Sequence, residues 1–241
     1  MQNQPFNQNQ SNPFDYSSAS IPVAQASVDE RMGFIRKTYV LFLAGILCCI
    51  VAGILTLQIP ALMGAALTVL RIPLLALALI FGLSYGAQAV SRTEGLNYAA
   101  LFGFTGIIGW LFTPILAIYE GSQPGILVQA AALSTITFGA LTAYVFVSKK
   151  DFSFMGGILF VGLIGLVLGG LANAFFFHSP LTSYLMAWFT LLLFSGYVLY
   201  DTSNIMQRYD TRGYCSAALS LFLDFFNIFM AILRILAGSR R

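Results

Sequence analysis

The placement of the charges constrains this chain more than any other feature. No Asp, Glu, Lys or Arg lies between Lys37 and Arg71, Arg71 and Arg92, Glu94 and Glu120, Glu120 and Lys149, or Asp151 and Asp201. A helix that crosses the hydrocarbon core needs about 20 largely apolar residues at about 1.5 Å each. Every interval is that long, and the last has room for two such helices. A soluble domain carries roughly 25% charged residues. Here the charged share is 9% and the hydrophobic share 58%, with a mean hydropathy of +0.82. The chain is expected to be an all-α polytopic bundle in contact with membrane lipid, and not a soluble enzyme.

Residues 1–30 form the one polar region. The run from Met1 to Pro13 is rich in Gln and Asn and lacks the periodicity needed to bury a face, so a disordered tail is expected there. It has neither a basic start nor an early apolar stretch, so it does not read as a cleavable signal peptide. The bundle is expected over 31–241. Its spans read as about 38–58, 72–91, 96–119 (kinked at Pro114), 125–147, 154–177 and 181–206. A last apolar segment over about 214–237 carries Asp224 and Arg234.

Lys and Arg in short loops set orientation. With the N-terminus inside, the inner side collects Arg31, Arg36, Lys37, Arg92, Lys149, Lys150, Arg208 and Arg212, against Arg71 alone outside. A cytoplasmic N-terminus is expected. A full last span puts Arg240 and Arg241 outside, whereas a re-entrant segment returns them inside. The net charge of +3 is too small, and too concentrated at span boundaries, to suggest nucleic acid. Cys48, Cys49 and Cys215 sit in apolar segments without metal-ligand spacing, and no structural disulfide or cofactor is expected. The spacings Gly82-x-x-x-Gly86 and Gly165-x-x-x-Gly169 read as close helix packing within the chain, with dimerisation as the alternative.

Of nine acids, six lie in the tail or in loops, and Glu120 ends a span where interfacial solvation explains it. Asp201 and Asp224 remain, each inside apolar sequence. An ionisable group in a membrane helix costs roughly 2.5–3.5 kcal/mol at the centre on insertion scales, so it usually faces the interior and works. Asp201 lies roughly 8 Å, and Asp224 roughly 15 Å, from the same inner end of two antiparallel helices. The two carboxylates can therefore meet. Asn204 and Asn227 follow each Asp by three residues on the same face and could hydrogen-bond the pair. Two buried carboxylates in contact would share one proton and titrate as a unit. Deprotonated, they would offer oxygen ligands for transient contact with Ca²⁺. The alternative is two acids separately satisfied. His178, at a Ser-Pro turn, reads as a solvated loop residue.

The stretches Tyr200-Asp201-Thr202-Ser203-Asn204-Ile205, Leu219 to Phe229 around Asp224 and Asn227, and Lys149-Lys150-Asp151-Phe152-Ser153-Phe154 resemble the Bax inhibitor-1 family. The bacterial YccA-like branch is the best fit, and Gly106-Ile-Ile-Gly109 followed by Pro114 looks like the third helix of that family. The resemblance covers about 34–237. It implies seven transmembrane helices with the last one central, wrapped by the other six. It also implies an aspartate pair, Asp201 and Asp224 here, acting as the pH sensor of a calcium leak. Arg92, near the inner end of the second helix, is implied as a latch on that pair. The YccA-like branch further implies a partner, the membrane protease FtsH, and a bacterial inner membrane.

The leading expectation is a pH-sensitive cation (Ca²⁺) leak. The alternative is a modulator of an FtsH-like protease acting by direct binding through its tail. An intramembrane aspartyl protease also places two Asp on neighbouring helices, but such enzymes carry Gly-x-Gly-Asp at the second site. Here Leu221-Phe222-Leu223 precedes Asp224, and catalysis is not expected.

Overall fold

The computed structural model describes residues 21–91, 93 and 95–239. Eight α-helices and no named strand occupy them. The helices are α1 (Val28–Gln58), α2 (Pro60–Leu70), α3 (Pro73–Ala89), α4 (Leu96–Ser122), α5 (Ile126–Ser148), α6 (Gly156–Ala172), α7 (Pro180–Gln207) and α8 (Tyr214–Ser239). Six segments are long and apolar enough to cross a membrane, and α2 with α3 makes a seventh if that pair, bent by 103°, counts as one span. The chain is an all-α polytopic membrane bundle.

Local chemistry sets most helix ends. α1 begins with a capping box in which the Glu30 N–H donates to Ser27 Oγ at 3.3 Å and the Ser27 N–H donates to Glu30 Oε2 at 3.0 Å. Pro60, Pro73 and Pro180 each open a helix, where the missing N–H costs nothing. Glu120 caps α5: its carboxylate accepts from the N–H groups of Gly125 at 2.6 Å and Leu127 at 3.2 Å. A negative charge is favoured at a helix N-terminus. Glu120 is thus a structural ligand of the next helix, not merely a solvated interfacial acid.

Two expectations about the ends of the bundle are corrected. Residues 59–71, read as a loop, include the separate helix α2, because Pro60 stops α1 and restarts a helix at its own position. α2 packs on α4, and the Trp110 indole N–H ties them by donating to the Leu62 carbonyl at 2.9 Å. The expected tail over 1–30 meets the structure only beyond residue 20, and those residues are built in. Val23 is fully buried. Its N–H donates to the Tyr209 carbonyl at 2.8 Å, and the Thr211 N–H donates to the Ile21 carbonyl at 3.1 Å. Apolar Ile21 and Val23 had a place to go, at the turn between α7 and α8.

α8 is the central element. It packs against α1, α3, α4, α5 and α7, and 50% of its apolar window is buried, the largest share of any span. The other helices do not all wrap it equally, since α6 rests chiefly on α7 and α2 on α4. α8 also runs the full length of the bundle. Tyr214 at its start packs against Tyr98 at the start of α4, and the carbonyl of Ala237 near its end accepts from Gln123 just past the end of α4, at 3.4 Å. The re-entrant alternative is excluded for the described residues.

Of the four glycines in the two spacings, only Gly169 makes a close approach, against the Met186 side chain of α7. A Cβ built at Gly82, Gly86 or Gly165 would meet nothing within 4 Å. At Gly109 it would run into the backbone carbonyl of Cys49, so only glycine lets α1 and α4 approach this closely. Gly162 and Gly196 do the same work between α6 and α7, against Leu193 and Leu159.

Candidate functional site: a carboxylate pair behind a polar cavity

α7 and α8 are the most extensively paired helices in the bundle, and their antiparallel packing sets Asp201 beside Asp224. The two carboxyl groups are close enough to interact electrostatically with one another. Asp224 is only 3% exposed, and its Oδ2 is fully enclosed without a hydrogen-bond donor among the described residues. Such an acceptor is expensive to leave unmatched: an unpaired buried polar group costs about 1–3 kcal/mol, and a charged one more. A proton on either carboxyl removes the mismatch by making one group the donor to the other.

Asp201 is half-buried and lines a cavity of about 720 Å³. Its wall includes Gln88 of α3, Tyr200 and Asn204 of α7, Ser216 of α8, and Arg208 and Tyr209 from the α7–α8 turn. The Ser216 hydroxyl donates to Gln88 Oε1, which fastens α3 across the cavity to α8. Asp224 is not among the lining residues, so the pair has one member at the cavity wall and one behind it.

The cavity sits at the basic end. The guanidinium of Arg208 pairs with Asp151 at 3.2 Å, joining the α5–α6 loop to the end of α7. The same loop is held by Ser203, two residues beyond Asp201, whose hydroxyl accepts from the Phe152 N–H at 3.0 Å. Hydrogen bonds from the Ser153 side chain and backbone, with Arg208 adding its charge, push Asp151 down to about 2. Asp151 is therefore ionised across the whole range in which a paired carboxyl would titrate. Tyr209 is buried beneath this turn, with its hydroxyl 3.2 Å from Ser220 Oγ, and burial pushes that hydroxyl well above the ordinary tyrosine range. On α1, Lys37 places Nζ 3.5 Å from the ring centroid of Tyr214 and 5.7 Å from that of Tyr98, a cation–π contact that ties α1, α4 and α8.

Of the residues singled out from sequence, Asp201 and Asp224 come together and Asn204 lines their cavity. Asn227 does not face the pair with its amide, which donates to the carbonyl of Leu223 on its own helix at 2.8 Å. In an apolar helix interior the preceding turn offers the nearest free acceptor lone pair. Arg92 lies outside the described residues. Gln88, Ser203, Tyr209 and Ser216 were not singled out, because single polar residues in apolar runs carry no spacing signal. Ser203 and Asp151 do fall within two of the stretches that carry the family resemblance.

A metal would find a sparse shell here. Ca²⁺ takes six to eight oxygen ligands, whereas no group of three or more His, Cys, Asp or Glu side chains converges among the described residues. One carboxylate at the cavity wall with a second behind it can offer a transient contact and not a cage.

The family model "Inhibitor of apoptosis-promoting Bax1" matches residues 31–241. The chain is 33% identical over 227 residues to Bax inhibitor 1 of Schizosaccharomyces pombe, covering 92% of this chain and 82% of that protein. It is 35% identical over 233 residues to mouse Protein lifeguard 4, covering 95% and 93%. It is 34% identical over 193 residues to the Modulator of FtsH protease YccA of Escherichia coli, covering 78% and 86%.

Proposed function

Because the chain belongs to the Bax inhibitor-1 family of integral membrane proteins, we propose that it is a pH-sensitive cation (Ca²⁺) leak gated by Asp201 and Asp224. One observation carries the reading: two carboxyls face each other between the central helix and its main partner, and one of them touches a polar cavity. Protonation at the cavity wall replaces carboxylate repulsion with a hydrogen bond, and loss of the proton restores an unmatched anion inside the bundle. Either change biases how α7 and α8 pack, which is the bistable element such a switch needs. The cation makes a passing contact with Asp201 at the cavity wall when the pair is ionised, and Asp224 adds its charge from behind. Arg92 is proposed to latch the closed arrangement, and Asn204 to support the pair from the cavity wall. The protein sits in a bacterial inner membrane with its N-terminus in the cytoplasm, by the excess of Lys and Arg at one end. No catalytic role is proposed.

The test is Ca²⁺ flux in proteoliposomes across a pH series. Asp201→Asn and Asp224→Asn should each leave flux insensitive to pH, and a wild-type pH response in both variants would falsify the gate.

A second reading, modulation of an FtsH-like protease by direct binding, is favoured by the printed name of the Escherichia coli relative. The segment from Ile21 onward is built into the bundle. Removing residues 2–20 therefore leaves the α1 cap and the Ile21 and Val23 contacts in place. A protease modulator should change its association with FtsH after this deletion, whereas a leak should still conduct.

A further inference from the structure

The opposite end of the bundle carries a second cavity, of about 610 Å³, walled by α4, α6, α7, α8 and the turn before α7. Arg234 of α8 contributes the guanidinium on its wall, together with His178, Tyr119 and Tyr184. Arg234 stands five residues before Ser239, roughly 8 Å inside the end of its helix. An arginine near a helix end normally snorkels to the interface, and Arg234 is exposed, with no ion pair or hydrogen bond among the described residues. The acid of this end, Glu120, is already committed to the N–H groups of Gly125 and Leu127.

The shape of the cavity depends on glycine. Gly170 and Gly238 form part of the wall, and a Cβ at Gly238 would run into the ring of Tyr184. Leu181 and Leu185, on the same turn and helix as His178 and Tyr184, are 67% and 58% exposed and so face lipid in a membrane. A charged pocket thus opens beside an acyl-chain surface.

We propose that this cavity binds the phosphate of an anionic phospholipid, with Arg234 as its cation. A phosphodiester presents paired oxygens that match the guanidinium fork. The His178 ring and the hydroxyls of Tyr119 and Tyr184 are further donors on the same wall. Ser183 is less free, since its Oγ accepts from Asn173 at 2.8 Å and donates to the Ser179 carbonyl at 3.1 Å. The acyl chains then lie along Leu181 and Leu185.

The experiment uses the full chain in detergent and follows its thermal midpoint with added phosphatidylglycerol, phosphatidylcholine or inorganic phosphate at matched concentrations. Phosphatidylglycerol should raise the midpoint by a few degrees, and phosphatidylcholine should raise it less. Arg234→Gln should weaken the apparent affinity for phosphatidylglycerol about tenfold. Arg234→Lys keeps the charge but loses the fork and should fall between the wild type and Arg234→Gln, which separates loss of charge from loss of fold. Gly238→Ala should weaken it with Arg234 still present. Equal responses to the two lipids, an unchanged response in Arg234→Gln, or an equal effect of inorganic phosphate would each overturn the lipid assignment. None of these readouts involves ion flux, so the proposal stands or falls separately from the gate.

Discussion

α6 and α8 are two apolar, span-forming helices with opposite fates. Half of the apolar window of α8 is buried, against 6% of the α6 segment. α8 touches five other helices, and α6 rests chiefly on α7. What separates them is the polar content of one face: α8 carries Ser216, Ser220, Asp224 and Asn227, whereas α6 carries Gly and aliphatic residues almost throughout. In lipid, an apolar helix gains nothing from being inside by virtue of hydrophobicity, since the tails are as apolar as Leu. The helix that goes to the centre is the one whose polar groups lipid cannot satisfy.

The largest test of that contrast is packing. Phe222 of α8 is 1% exposed and meets Phe104 edge-on and Phe226 in a stack. Phe222→Ala should cost roughly 3 kcal/mol in a reversible unfolding assay. Phe160→Ala on the lipid face of α6 should stay within about 0.5 kcal/mol. Equal losses would break the distinction between core and lipid-facing helices.

Next come the glycines. Gly109→Ala forces a methyl group against the Cys49 carbonyl and should destabilise by about 1–3 kcal/mol. Gly165→Ala on α6 meets open space and should be neutral or slightly stabilising, because alanine is the better helix former. A similar penalty at both sites would mean that α6 packs as tightly as α1 and α4.

A smaller effect is expected at Glu120. Glu120→Gln keeps an acceptor for the Gly125 and Leu127 N–H groups but removes the charge at the α5 N-terminus, at a cost of about 0.5–1 kcal/mol. The thermal midpoint of the variant would report it.

The smallest effect on stability, and the sharpest on mechanism, belongs to Asp151→Asn. The carboxyl of Asp151 is depressed to about 2, so its contribution is complete above the unfolded value near 3.8 and is lost only as pH falls through about 2. Between pH 5 and 8 it does not titrate. Removing it should leave the pH midpoint of flux unchanged, whereas a shifted midpoint would assign part of the response to the Arg208 tie and not to Asp201 and Asp224.

Much of this architecture was legible in the sequence for a simple reason. Charge-free intervals of span length have few alternatives, and the spans read from them fall close to α3 through α8, whereas α1 ends as expected but starts ten residues earlier, at Val28. The segment over 59–71 was less readable, since Pro60 both ends one helix and begins another, and only contact with Trp110 shows that α2 has a place to pack. Three of the four glycines in the two spacings, Gly82, Gly86 and Gly165, have no close neighbour, because a spacing reports that helices can approach, not that a partner is present. Asn227 misled for a related reason: a shared face brings it near Asp224 in sequence, but the free carbonyl of Leu223 is closer to its amide.

Sequence alone determined that the chain lives in a membrane, that its cations gather at one end, and that two acids lie at compatible depths in neighbouring helices. These follow from the cost of placing charge in hydrocarbon, which acts on every residue independently of its neighbours. Tertiary structure decided which helix is central, that one carboxyl reaches a cavity while the other stays enclosed, and that Arg234 is left without an acid. Those depend on which surfaces meet, and a surface finds its partner only after all the helices have packed.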